Sequence, residues 1–141
     1  MLVPREARIS AALLRQLIDS CQSALPEEAC GVLIGERHTD YIEVRELAIV
    51  PNAAAEPDRT FAFEPGAWIA AAYAARTSRR CIVGLFHSHP AHPPIPSRSD
   101  LQGWDGCGSY WIVGLAASPA DIRAYRLDAD GELMDMRIAV R

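Results

Sequence analysis

Early in the chain the apolar positions fall at 9, 13, 14, 17, 18, 21 and 25. Spacings of three and four predict an amphipathic helix from Ile9 to Leu25, with Arg15, Gln16, Asp19 and Gln22 opposite the apolar stripe. Ser10 is placed to cap its start, and Pro26 ends it. The pattern then shifts to short apolar runs. Gly31 to Gly35 reads as a buried strand and Tyr41 to Val50 as its partner, with His38-Thr39-Asp40 turning between them. Residues 51–60 hold two prolines and an asparagine and read as a loop. Phe61 and Phe63 alternate as in a short strand. Pro65 suits the first turn of a second helix, whose buried face is expected to be Trp68, Ile69, Ala72 and Tyr73. Cys81 to Phe86 is short and almost continuously apolar, as a central strand would be. A proline-rich loop from Pro90 to Pro96 follows, then a short helix from Asp100 to Trp104 with Ser99 as its cap. Three strands complete the chain: Tyr110 to Ala116, Asp121 to Leu127 and Leu133 to Val140. Asp130-Gly131 joins the last two as a hairpin. No repeat, low-complexity tract or linker interrupts the 141 residues, so the expectation is one α/β (α+β) domain, 1–141, with a mixed sheet and two or three helices.

Composition narrows the function classes. Half the residues are hydrophobic and 23% are charged, which excludes a disordered or fibrous chain. The formal net charge is -4, and the only basic cluster is the pair Arg79-Arg80. Neither a nucleic-acid footprint nor a membrane-surface role is supported. The four cysteines at 21, 30, 81 and 107 form no C-x-x-C, which argues against a structural zinc knuckle. Met1 to Glu6 is polar, and the apolar stretch after it is broken by Arg15 and Asp19, so no secretory signal is read. No run reaches the roughly 18 apolar residues of a membrane span. The expectation is a cytoplasmic protein with free thiols.

The chemistry concentrates in His87-Ser88-His89-Pro90 and Ser97-Arg98-Ser99-Asp100. Residues two apart on a strand share a face, so both imidazoles can lean toward one point. Zinc would sit about 2.0–2.1 Å from each nitrogen. Pro90 stops the strand and keeps the pair at an open edge, and the loop can fold Asp100 back onto it. Two histidines and a carboxylate leave a fourth tetrahedral position for water, the pattern of a catalytic rather than a structural zinc site. Zinc acidifies such a water, which still needs a base to take its proton. Glu27 and Glu28 compete for that role. In an extended segment they face opposite sides, and Glu28 in Pro26-Glu27-Glu28-Ala29-Cys30-Gly31 is the candidate. The Ser97 hydroxyl could donate to an oxyanion.

H-x-H, seven residues, then S-x-x-D, with an upstream glutamate, resembles the JAMM (MPN+) metalloprotease motif. The resemblance extends to Pro26-x-Glu28-Ala29-Cys30-Gly31 with Val32 to Gly35 after it, to Val83-Gly84-Leu85-Phe86 leading into His87, and to Asn52 with the Phe61/Phe63 segment. It covers roughly residues 10 to 117. It implies a cytidine-deaminase-like α-β-α core and one zinc ion on His87, His89 and Asp100. It also implies a catalytic Glu28, which settles the choice against Glu27, and an oxyanion-stabilising Ser97. The partner it implies is a ubiquitin-like or sulfur-carrier protein ending in Gly-Gly. The chain has the minimal size of small bacterial members that release an amino acid, notably cysteine, from such a carrier. It has no room for the insertions that recognise lysine-linked ubiquitin chains.

Blander readings stand beside these. His92 among prolines reads as an exposed loop residue, and His38 as part of a turn. Cys30 and Cys107 read as unreactive thiols, Trp104 and Trp111 as core or groove wall. Ser88 should point away from the metal and takes no catalytic role. A non-catalytic scaffold of the same fold would be expected to have lost its ligands, which this chain keeps. An isopeptidase acting on protein–lysine conjugates is the alternative activity. The H-x-E…P-C-x-x-C signature of nucleobase deaminases is absent. Oligomeric state is not legible.

Overall fold

A computed structural model describes residues 3–141. Met1 and Leu2, at the head of the segment read as polar, lie outside them. The elements run β1 (Glu6–Ile9), α1 (Ala11–Ser23), β2 (Cys30–Arg37), β3 (Tyr41–Val50), α2 (Pro65–Thr77), β4 (Cys81–His89), α3 (Arg98–Gly103), β5 (Ser109–Gly114), β6 (Asp121–Leu127) and β7 (Leu133–Val140). This is the expected mixed sheet with three helices. Its strands follow the order β1-β3-β2-β4-β5-β6-β7, and β1 pairs in parallel with both β3 and β7, closing the sheet on itself.

β1 is the element the hydrophobic pattern did not predict. Ile9, expected in the first helix, ends this strand, and Ser10 caps α1 directly after it by accepting the Leu13 N–H. Four residues with an intermediate–buried alternation give too short a signal to separate from a helix start.

Side-chain alternation assigns the layers. Leu33, Phe86, Trp111, Val113, Ala124 and Met136 face one side of the sheet, where Leu17 and Cys21 of α1 join them in a core fed by all seven strands. Val32, Ile34 and Ile82 face the other side and pack under α2 through Trp68, Ala71 and Ala75. The face of α2 therefore differs from expectation. Trp68 and Ala72 are partly covered, but Ile69 and Tyr73 point to solvent, 64% and 71% exposed. The inner turn of the helix is satisfied by small alanines against the sheet, so its larger apolar residues were free to lie outside. Phe61 and Phe63 form no strand of their own. Their segment makes one isolated bridge, Asn52 with Phe63.

β4 is the axis of the molecule. It pairs antiparallel with β2 and parallel with β5, setting Cys30 opposite His87 and His87 opposite Ile112. A register shift between Leu33 and Ile34 marks a bulge in this pairing. Gly31 lets the neighbouring strands close up at this level: a Cβ there would lie 2.3 Å from the Ala48 carbonyl oxygen and 2.5 Å from the Phe86 ring.

Candidate metal centre

β4 ends in His87, Ser88 and His89, all three buried. With period two, His87 and His89 share the α2 side of the sheet and Ser88 faces the α1 core. The chain then leaves as the 90–97 loop. Its path is fixed by two bonds to carbonyls: His89 Nδ1–H donates to Pro93 O at 2.8 Å, and the Tyr125 hydroxyl donates to Pro94 O at 2.6 Å. The loop delivers α3. The cap of this helix is Ser97 rather than Ser99. Ser97 Oγ accepts the Asp100 N–H at 3.0 Å and Asp100 Oδ2 accepts the Ser97 N–H at 2.9 Å, a reciprocal capping box. The box outcompetes a later start because it satisfies two helix-end donors at once.

The Asp100 oxygen that closes the box also turns inward. His87 Nε2, His89 Nε2 and Asp100 Oδ2 form a triangle with edges of 3.1, 3.1 and 3.2 Å. A tetrahedral cation with about 2.0–2.1 Å bonds has faces with edges of about 3.3 Å, so this donor set fits a zinc-sized ion. The tautomer fits as well. With Nδ1–H donated to Pro93, deprotonation of His89 falls on Nε2, the atom that faces the triangle, so a cation there meets a lone pair once it displaces that proton. Burial lowers the His87 pKa and outweighs its contacts with Asp100, favouring the neutral ring. Asp100 is desolvated, but hydrogen bonds from both histidines and from the Ser97 N–H hold its carboxyl well below the usual carboxylate range. For His89 burial works downward, and its bonds to Asp100 and Pro93 overcome it, so its pKa rises. Three donors of this kind converging on one point call for a positive charge between them.

Glu28 immediately precedes β2 and is buried, 7% exposed, whereas Glu27 is exposed. Burial pushes its pKa up to about 7, with His89 pulling it down and Asp100 adding to the rise. Its Oε1 is buried without a hydrogen-bond partner. A half-desolvated carboxylate with an unused oxygen, close enough to feel two corners of the triangle, is suited to carrying a proton. Ser97 Oγ accepts from Asp100 N–H and lies 3.2 Å from Ser99 Oγ, and its single O–H remains able to donate.

Two positioning residues went unrecognised as such in the sequence. Ser88 holds the Glu28 segment against β4: its Oγ accepts the Ala29 N–H at 2.9 Å, and its own N–H donates to Ala29 O at 3.0 Å. Asn52 Nδ2 donates to the carbonyls of Glu28 and Thr60, each at 3.0 Å, and of Pro57 at 3.3 Å, while its Oδ1 accepts from Ala54 and Ala62 N–H. The Glu28 N–H donates to Pro57 O at 2.7 Å. The glutamate is thus fixed by its backbone on both sides while its carboxylate is left uncommitted. The only sequence cues were a serine between two histidines and an asparagine in a proline-flanked loop.

Aromatic rings shield the triangle. Phe61 stacks on His87 at 4.5 Å, and Tyr110 packs against it at 5.3 Å. Beyond them opens a cavity of ≈ 560 Å³ walled by Phe61, Phe63, Trp68, Leu85, Trp104 and Tyr110, with Asp100 at its edge. Trp104 is groove wall, stacked on Tyr110, and Trp111 is core. His92 and His38 stand outside the site, His92 exposed in the loop and His38 stacked on Tyr41. Cys30 is buried and gives its S–H to Val50 O, while Cys107 is exposed at the cavity rim. Among the described residues no helix is long and apolar enough to cross a membrane.

The chain is similar in sequence and in fold to known proteins. The chain is 35% identical over 118 residues to the desampylase of Haloferax volcanii, covering 82% of this chain and 79% of that protein. It is 27% identical over 135 residues to the CysO-cysteine peptidase of Mycobacterium tuberculosis, covering 94% and 89%. A protein of Desulfitobacterium hafniense solved in solution superposes with a TM-score of 0.86 at 28% identity, over 96% of this chain and 92% of that one. The family model described as prokaryotic homologs of the JAB domain matches residues 10–128, and the chain belongs to that family.

Proposed function

We propose that this protein is a zinc-dependent hydrolase that cleaves the amide or isopeptide bond following the C-terminal glycine of a ubiquitin-like or sulfur-carrier protein. The observation that carries the reading is the triangle of His87 Nε2, His89 Nε2 and Asp100 Oδ2 beside the buried, unpartnered carboxylate of Glu28. Relatives named desampylase and CysO-cysteine peptidase support the substrate class.

The three ligands would hold one zinc ion, which supplies Lewis-acid polarisation of the scissile carbonyl and a lowered pKa for the attacking water. Glu28 takes a proton from that water as its oxygen adds to the carbonyl carbon. Ser97 O–H donates to the oxyanion that develops. Glu28 then returns the proton to the amine nitrogen as the C–N bond breaks, leaving a free glycine carboxylate and a free amine. The aromatic wall from Phe61 to Trp104 keeps bulk water from the reacting atoms. Ile95 and Leu101, 64% and 40% exposed on the segment that carries Asp100, offer apolar contacts to the body of the carrier.

The zinc-loaded protein should be offered sulfur carriers ending in Gly-Gly-cysteine beside ubiquitin-like proteins joined to lysine, with products read by mass spectrometry. Release of cysteine from the first set supports the carrier reading. Cleavage of lysine conjugates alone moves the substrate to the isopeptide class. No cleavage of either, in a protein carrying one zinc per chain, sinks the enzyme reading.

A further inference from the structure

The loop that runs from β4 to Ser97 has little means of holding itself. Pro90, Pro93, Pro94 and Pro96 have no backbone N–H to donate. One short backbone bond, Ile95 N–H to Pro93 O at 2.8 Å, lies within it. Its placement therefore rests on carbonyls that accept from elsewhere, and two successive ones do. Pro93 O takes the Nδ1–H of His89, a corner of the metal triangle, at 2.8 Å. Pro94 O, one peptide further on, takes the Tyr125 O–H at 2.6 Å in a buried bond.

Tyr125 reaches the loop from β6. Its ring packs with Trp104, Tyr110 and Ile112, and it pairs across the strands with Tyr110. Packing accounts for the ring, and the hydroxyl is the part that serves the loop. The strand beneath is shaped for the same contact. Pro94 is buried, whereas Ala91, His92, Pro93 and Ile95 around it are exposed. It rests on Gly114 at the end of β5, where a Cβ would lie 2.8 Å from Pro94 Cδ and 3.2 Å from Pro94 N. A side chain at 114 would have to lift the proline ring, which cannot bend away. The next residue closes the unit: the Leu115 N–H donates to His89 O at 3.0 Å.

We infer that Tyr125 is a positioning residue of the metal centre, with Gly114 as the seat that lets it act. The hydroxyl fixes Pro94, Pro94 fixes the adjoining Pro93 carbonyl, and that carbonyl orients the His89 ring with Nε2 toward Asp100. The same anchor sets where the chain goes on to α3 and Asp100. Tyr125 thus acts through two carbonyls rather than on a ligand. Groups that orient metal-binding histidines are worth about 10- to 100-fold in metal affinity, and one acting a peptide further away belongs at the lower end. The inference rests on the reading of His87, His89 and Asp100 as a zinc site and assigns the control of its affinity.

Zinc affinity of the full chain, measured by competition with a chromophoric chelator, tests it. Tyr125→Phe keeps the ring and removes the O–H, and should weaken zinc binding about tenfold. Gly114→Ala should act in the same direction from beneath. Both should speed amide exchange across 91–97. At saturating zinc the Tyr125→Phe variant should recover a kcat close to that of the wild type, since no reacting group has changed. Ile42→Val is the control. It thins the core on β3, which pairs with β1 and β2, and should lower stability while leaving zinc affinity unchanged. If Ile42→Val weakens zinc binding as much as Tyr125→Phe, the loss is one of stability and the inference is overturned. It is overturned equally if both loop variants bind zinc as tightly as the wild type. A wild type that binds no zinc overturns the metal-site reading along with it, so the two failures are distinct.

Discussion

The two halves of the metal centre are built differently. His87 and His89 stand on β4, which is hydrogen-bonded along its length to β2 and β5. Their positions follow from the sheet and have little freedom. Asp100 comes from a six-residue helix at the end of a proline-rich loop. It is held by a few discrete bonds: Pro93 to His89, Pro94 to Tyr125, and the Ser97 capping box. The first half is rigid because its backbone donors and acceptors are consumed in a ladder. The second depends on local contacts of about 1 kcal/mol each. A cation in the triangle would therefore tie a weakly held segment to a strongly held one, coupling metal binding to order in residues 90–108 far more than in the sheet.

Removing the metal is the sharpest way to break this contrast. A chelator should abolish hydrolysis and speed amide exchange across 90–108 while β2, β4 and β5 stay protected, read by hydrogen-exchange mass spectrometry. Uniform loosening would show that the halves are not distinct. The next largest effect falls on the base. Glu28→Gln should lower kcat by about 10²- to 10⁴-fold with unchanged metal content. In the wild type, activity should rise with pH as Glu28 loses its proton. A bound dication favours the ionised carboxylate, so this limb should lie below the pH of about 7 that burial alone sets.

Ser97 joins the two halves of the contrast in one residue. Ser97→Ala removes both the cap and the oxyanion donor, and should cost about 1 kcal/mol of stability and roughly 10- to 100-fold in kcat. Ser97→Thr keeps both functions and should retain most of each. On the rigid side, Ser88→Ala leaves the Ala29 N–H buried and unpaired. It should lower stability by about 1–3 kcal/mol, and kcat should fall with metal affinity held, since Ser88 positions Glu28 and touches no ligand atom. The smallest effect is on the metal-free protein. Glu28 has a folded pKa above its ordinary value, so its contribution is complete below the ordinary carboxylate range and is lost as pH rises through about 7. Urea titration at pH 8 should then find metal-free Glu28→Gln more stable than the metal-free wild type by about 1 kcal/mol.

Much of this is legible in the order of residues alone. Strand ends at Tyr41, Val50, Leu133 and Val140, the Ser10 cap and the shared face of His87 and His89 follow from period and punctuation. Those signals are local. The misreadings share a non-local cause. β1 is a strand because β3 and β7 leave a gap that it closes, which no property of four residues announces. Ile69 and Tyr73 lie outside because three small or flat residues had already met the sheet. Ser97 displaces Ser99 as cap because the oxygen it engages is also drawn toward the histidines.

By itself the sequence determined which atoms could meet. The two-residue period of a strand puts His87 and His89 on one side and turns Glu27 and Glu28 to opposite sides, so that one of the two glutamates can join the pair. Only the tertiary structure decided that they do meet, and how. Closure of the 90–97 loop brings Asp100 to within 3.2 Å of both rings, and burial lifts Glu28 to about 7. Both depend on contacts between residues far apart in the chain. Periodicity records which way a side chain faces, but desolvation and convergence arise only when distant segments exclude water together.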